Sequence, residues 1–133
     1  MAFFVIKPAM FSFLRNRVHS FKYAYRGLAR LLRTEPNFQV HSVAAVAVLI
    51  ASWYFQLTAE EWGLIVLTIA LVLLTEGINT AVEHLANYVQ PAYAKEIAVV
   101  KDIAAGAVLL ATLASVVVGS IVFGPKLWTL GGF

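Results

Sequence analysis

Apolar residues gather into long stretches along this chain. From Phe38 to Ala59 there are 22 residues without Asp, Glu, Lys or Arg, and from Ile103 to Pro125 there are 23. At about 1.5 Å per residue, each stretch is long enough as a helix to cross ~30 Å of hydrocarbon. A third segment, from about Glu60 to about Val89, has the same apolar background but carries Glu76 and Glu83 inside it. The pattern predicts three transmembrane helices, over about 38–58, 61–86 and 102–124. Trp53, Trp62 and Trp128 fall near the expected span ends, where an amphipathic ring is at home between hydrocarbon and headgroups.

Ahead of the first span, Leu14, Val18, Phe21, Tyr25, Leu28 and Leu32 recur at alternating intervals of four and three. Lys22, Arg26, Arg30 and Arg33 fall mainly on the remaining arc. This spacing predicts an amphipathic helix over about 13–33, its apolar side against acyl chains and its bases toward anionic headgroups. The fold class expected is therefore an all-α membrane protein, three spans plus an N-terminal surface helix.

Composition narrows the alternatives. Of 133 residues, 61% are apolar and 13% charged, and the mean hydropathy is +0.81; a water-soluble surface needs more charge than this. A soluble bundle would also need a polar stripe on each helix, which the first and third stretches lack. No linker-like segment divides the chain, so residues 1–133 are read as one domain. There is no cysteine, which removes disulfides, a thiolate nucleophile and cysteine-ligated metals. The apolar start is followed at once by Lys7 and Pro8, the wrong order for a cleaved signal peptide.

Seven of the ten Lys and Arg residues precede the first stretch, whereas the connection Thr58–Glu61 has no base. The positive-inside rule then gives a cytoplasmic N-terminus, a cytoplasmic region from His84 to Lys101 and an external C-terminus. The net charge of +3 suits anionic lipid or nucleotide phosphate. Nucleic acid is not an expected partner, since no zinc-finger spacing or RNA-binding motif accompanies the charge.

The chemistry concentrates in Glu76-Gly77-Ile78-Asn79-Thr80-Ala81-Val82-Glu83. At ~100° per residue, Glu76, Asn79 and Glu83 lie within a ~60° arc of one helix face, the carboxylates ~10.5 Å apart along the axis. Carboxylates within a span are costly and need a cation, helix termini or water in compensation. Spacing leaves three uses open: polar contact between protomers, an ion path, or catalysis. Lys101 and Asp102 precede the last stretch, where Asp102 is expected to cap the helix and Lys101 to offer a cation near Glu83. Glu35, between Thr34 and Pro36, reaches the same membrane face under this topology. Three carboxylates, an amide and a lysine suit a hard metal and a phosphate.

Three segments carry a resemblance: Thr34-Glu35-Pro36-Asn37-Phe38-Gln39-Val40-His41; Glu76 through Glu83 with His84; and Lys101-Asp102-Ile103-Ala104-Ala105-Gly106-Ala107. From about Phe21 to Pro125 the chain resembles the prokaryotic diacylglycerol kinase and undecaprenol kinase family of small membrane kinases. The glutamate with Asn at +3 and Glu at +7 inside an apolar helix is the most specific part. The resemblance implies a homotrimer in the bacterial cytoplasmic membrane, with composite active sites between subunits. It also implies transfer of the γ-phosphoryl group of ATP to a lipid alcohol with Mg2+.

By the same resemblance Glu76 is the catalytic base and Asn79 orders the catalytic face. Glu35 and Glu83 hold magnesium, Lys101 neutralises phosphate, Asp102 neighbours the nucleotide and Tyr23 contacts it. No P-loop is implied, and the sequence contains no Gly-rich run ending in Gly-Lys-Ser/Thr. The Thr34–His41 segment is closer to the undecaprenol branch, with diacylglycerol the alternative acceptor. Asn87 departs from the family, where that position is often acidic. His41 is read as polar packing or a lipid-facing interfacial residue near the start of the first span, and His84 and His19 fall outside the site.

Overall fold

The computed structural model describes residues 6–130, with side chains from His19 to Leu130. The start of the chain through Val5, and the side chains of Lys7, Leu14, Arg15, Arg17 and Val18, lie outside the described residues. Four helices follow in order: α1 (Ile6–Thr34), α2 (Pro36–Tyr54), α3 (Ala59–Val89) and α4 (Lys95–Leu130). The chain divides between Glu35 and Pro36 into two units, Met1–Glu35 and Pro36–Phe133.

In the first unit, the exposed side chains of α1 include both apolar Phe21, Tyr25, Leu28 and Leu32 and basic Lys22, Arg26, Arg30 and Arg33. The Arg26 guanidinium lies 5.7 Å from the centroid of the Tyr23 ring. At the helix end, Thr34 Oγ1 donates to Arg30 O at 3.1 Å and to Glu35 Oε1 at 2.9 Å. Pro36 then opens α2, its missing N–H falling where no intrahelical partner exists.

In the second unit, α3 packs most extensively on α4, and α2 runs back along α3. The α2–α3 connection is tightly specified. Leu57 N donates to Ser52 O at 3.2 Å and Gln56 N to Trp53 O at 3.1 Å, while Gln56 has φ of 51°. This is a Schellman ending with a left-handed residue after the helix. Thr58 then caps α3 reciprocally with Glu61: Glu61 N donates to Thr58 Oγ1 at 3.3 Å and Thr58 N to Glu61 Oε2 at 2.8 Å. Glu61 Oε1 also pairs with Lys126 Nζ at 3.0 Å, tying the start of α3 to the end of α4. Leu57, Ile65 and Val122 form the buried cluster above this tie. α3 ends at Gln90, whose N–H donates to Ala86 O at 2.9 Å, because Pro91 cannot continue the helix.

The three-span expectation is corrected by this structure: among the described residues two helices, α3 and α4, are long and apolar enough to cross a membrane. The fold is four helices with two such spans, not three spans plus a surface helix. α2 is uncharged but not apolar throughout. Asn37, Gln39, His41 and Ser42 occupy its first turns, which leaves a continuous apolar run only from Val43 to Ala51. Those nine residues extend about 13 Å, less than half the hydrocarbon thickness. Absence of formal charge is a weaker criterion than hydropathy.

Along these two long apolar helices, Leu67, Leu110 and Ile121 are among many exposed large apolar side chains, an arrangement suited to lipid rather than water. Several hydroxyls in these helices bond to the backbone one turn back. Thr75 donates to Leu71 O at 2.9 Å, Thr112 to Val108 O at 2.9 Å and Ser120 to Val116 O at 2.8 Å, as hydrocarbon surroundings require.

Candidate active site

The buried face of α3 changes character along its length. Ile65 and Val72 are buried near the start, and Glu76, Asn79 and Thr80 further on. Glu76 is 3% exposed and Asn79 5%. The turns recur at helical spacing, so the apolar and polar halves belong to one continuous face. Asn79 Nδ2 donates to Glu83 Oε1 at 3.3 Å, holding the half-buried carboxylate over the turn below. Asn79 Oδ1 is buried and has no hydrogen-bond partner among the described residues. A buried, unpartnered acceptor beside two carboxylates is a costly arrangement for packing alone.

Across the short connection from Gln90 to Ala94, Lys101 Nζ donates to Asn87 Oδ1 at 3.3 Å. That bond draws the lysine of α4 toward the α3 turn that follows Glu83. Asn87 escaped sequence reasoning as a lysine partner, although its place four residues after Glu83 was a usable signal. Thr80, buried beside Asn79 on the sequence, was also passed over.

Asp102 does not cap a helix. α4 begins at Lys95 and Asp102 lies two turns inside it, exposed. After Pro91 no residue interrupts helix formation, so the alanine- and valine-rich segment from Lys95 onward joins the apolar stretch. Glu35 and Tyr23 belong to the first unit; Glu35 is half-buried and Tyr23 exposed. His41 is half-buried and lines a groove between α2, α3 and α4.

The donor set beside Glu83 on α3 consists of hard oxygen atoms: the Glu83 carboxylate and the Asn79 amide oxygen. Such donors fit magnesium, and the buried Asn79 Oδ1 has capacity to spare. Among the described residues no three or more His, Cys, Asp or Glu side chains close into a ligand cluster. A cation held here would take phosphate and water oxygens as well, the usual habit of magnesium.

These features define a helical, membrane-associated protein with a buried acid–amide face on α3 and a lysine bonded to the α3 turn beyond Glu83. The family model for prokaryotic diacylglycerol kinase matches residues 22–123. An undecaprenol kinase of Bacillus subtilis is 40% identical over 108 residues, covering 81% of this chain and 88% of that protein. A diacylglycerol kinase of Synechocystis is 38% identical over 116 residues, covering 86% of this chain and 66% of that protein. The chain belongs to the prokaryotic diacylglycerol kinase family, a family of membrane lipid kinases.

Proposed function

We propose that this protein transfers the γ-phosphoryl group of ATP to the hydroxyl of a membrane lipid alcohol, most favourably undecaprenol. The observation that carries the reading is the buried Glu76–Asn79 pair with Glu83 hydrogen-bonded above it, in a chain of this kinase family. Undecaprenol is favoured over diacylglycerol by the Thr34–His41 segment and by the fuller coverage of the undecaprenol kinase relative.

Glu76 accepts or orients the proton of the lipid hydroxyl; Asn79 fixes the turn that carries it and steadies Glu83. Lys101 balances charge on the phosphates, with Asn87 positioning its ammonium group. Asp102 and Tyr23 are assigned to the nucleotide, an assignment that rests on the family motifs. Glu35 and Glu83 are assigned as the carboxylates that hold magnesium, also by those motifs. When bound, magnesium neutralises developing charge on the phosphate oxygens. A polar site of this kind beneath the headgroups lets the hydrophobic tail of the acceptor remain in lipid.

The end of α3 that carries Glu83, together with the 90–94 connection, faces the cytoplasm, where ATP is found, and the Glu61–Lys126 end faces outward. The working unit is a homotrimer with sites completed between chains, which shields the polar face of α3 from lipid. Native mass measurement in a mild detergent should give three chains, and a fully active monomer would overturn this. Phosphorylation in vesicles holding undecaprenol and diacylglycerol at equal surface concentration, with magnesium and ATP, tests the activity: phosphorylated undecaprenol should predominate. If neither lipid is phosphorylated the kinase reading fails.

A further inference from the structure

At the α2–α3 corner, far from Glu76 along α3, Trp53, Tyr54, Gln56 and Trp62 line an open cleft. Two helices supply its aromatic walls: Trp53 and Tyr54 end α2, and Trp62 stands in the first turn of α3. The walls are held from behind. Trp62 packs on the Leu57, Ile65 and Val122 cluster. The Tyr54 ring meets Phe55 edge-on at 5.2 Å, and Phe55 meets Phe123 at 5.9 Å. Trp53 and Tyr54 remain exposed, so ring surface is left for a ligand.

Gln56 is the unusual member of the four. Its φ of 51° lies in the left-handed region, where a Cβ is unfavourable and glycine is the usual occupant after a helix. A strained residue that brings an amide into an aromatic cleft points to a use for that amide. An amide accepts from N–H groups and donates to oxygen, phosphate included.

The surrounding charge sets the sign of the ligand. Between Trp53 and Trp62 the charged residues are Glu60 and Glu61. Glu61 is paired with Lys126 at 3.0 Å, and Glu60 is exposed in the same turn. Aromatic rings attract cations, indole most strongly, and an excess carboxylate adds to the attraction. The level is set by Leu64 and Leu67, exposed apolar residues that follow Trp62 directly along α3. The cleft therefore lies at the edge of the lipid-suited surface, where headgroups are found.

We propose that this cleft receives the ammonium group of a zwitterionic phospholipid, the cation against Trp53, Tyr54 and Trp62 and the Gln56 amide bonded to the headgroup. A general belt of interfacial aromatics has no need of a strained amide and makes no choice between headgroups.

Retained lipid reads that choice directly. The whole chain is placed in nanodiscs holding equal amounts of phosphatidylethanolamine and phosphatidylglycerol with identical acyl chains. It is then released into mild detergent, and bound lipids are counted by native mass measurement. Phosphatidylethanolamine should be enriched about two- to fivefold, the factor that one exposed cation–π contact supplies. Phosphatidylcholine in its place should be enriched likewise. Trp53→Leu keeps an apolar side chain but removes the ring, and should bring the ratio to about one. Gln56→Gly should also bring the ratio toward one, while its unfolding temperature stays equal or rises because glycine relieves the left-handed residue. Equal retention of both lipids by the wild type, or a preference that survives in either variant, overturns the proposal. So does a preference lost only together with a fall in unfolding temperature, which would make these residues mere props of the corner. A loss that comes with a changed number of chains would give the cleft to a second copy of the protein, and also overturns it.

Discussion

Lys101 of α4 donates a hydrogen bond to the Asn87 amide oxygen of α3 at 3.3 Å, so the cation assigned to phosphate is held by a neutral partner. A neutral partner fixes position without cancelling charge. Asn87→Ala should therefore raise KM for ATP about two- to fivefold while kcat changes little, as expected for an exposed bond contributing about 1 kcal/mol or less. Asn87→Asp should also raise KM for ATP, because a carboxylate competes with phosphate for the ammonium group. Steady-state kinetics across ATP concentration separate the two parameters, and an unchanged KM in both variants would remove Asn87 from the site.

Glu76→Gln keeps the size and most of the hydrogen-bonding capacity of a residue only 3% exposed. Assembly should survive and turnover should fall by roughly 10²–10⁴-fold, the usual contribution of a positioned general base. The assay is turnover at saturating lipid and ATP, alongside native mass. Near-normal turnover would reject the assignment.

Glu35→Gln and Glu83→Gln should each weaken productive use of magnesium and ATP. If both serve one ion, the double variant should lose less than the two single losses combined. A double-mutant cycle on kcat/KM for ATP, repeated across a magnesium titration, supplies the measurement. Additive losses with an unchanged magnesium requirement would separate the two residues.

The chain contains no cysteine, so single introduced cysteines report topology without background. Ala92→Cys, in the connection between α3 and α4, should resist a membrane-impermeant maleimide in intact spheroplasts and react after lysis. Thr129→Cys, near the end of α4, should react in intact spheroplasts. The reverse pattern would invert the proposed orientation.

The partly exposed Lys126–Glu61 pair, at 3.0 Å, should contribute modestly. Lys126→Met should cost about 1 kcal/mol or less, most visibly at low salt. Thr58→Ala removes a helix cap and should cost about 0.5–2 kcal/mol. Thermal unfolding in detergent, with and without added salt, orders the two; a larger loss for Lys126→Met would contradict this ranking.

Sequence spacing made the Glu76, Asn79 and Glu83 arc legible, since it depends only on helical periodicity and α3 is an uninterrupted helix. Helix existence was legible for the same reason, whereas membrane crossing by α2 was not. Counting charges ignores Asn37, Gln39 and His41, each of which is costly in hydrocarbon without an ionic charge. The start of α4 was misjudged because Lys101 and Asp102 resemble a boundary, although the alanine- and valine-rich segment from Lys95 carries the helix through both. The Lys101–Asn87 bond joins residues 14 apart in sequence and depends on how tightly the Pro91 connection turns, which periodicity does not encode.

The Glu61–Lys126 ion pair, with Trp62 beside it, holds one end of α3 near an interface, and Glu76 lies 15 residues, or about 22 Å, further along the helix. The distance from that anchor to Glu76 is fixed by the rise of the helix, whereas the thickness of the surrounding lipid is not. In a bilayer a few ångströms thicker, Glu76 sinks by a similar amount below the opposite headgroups unless the helices change their tilt. The pair and the helix between them thus act as a ruler, making the depth of Glu76 responsive to acyl-chain length in the host membrane.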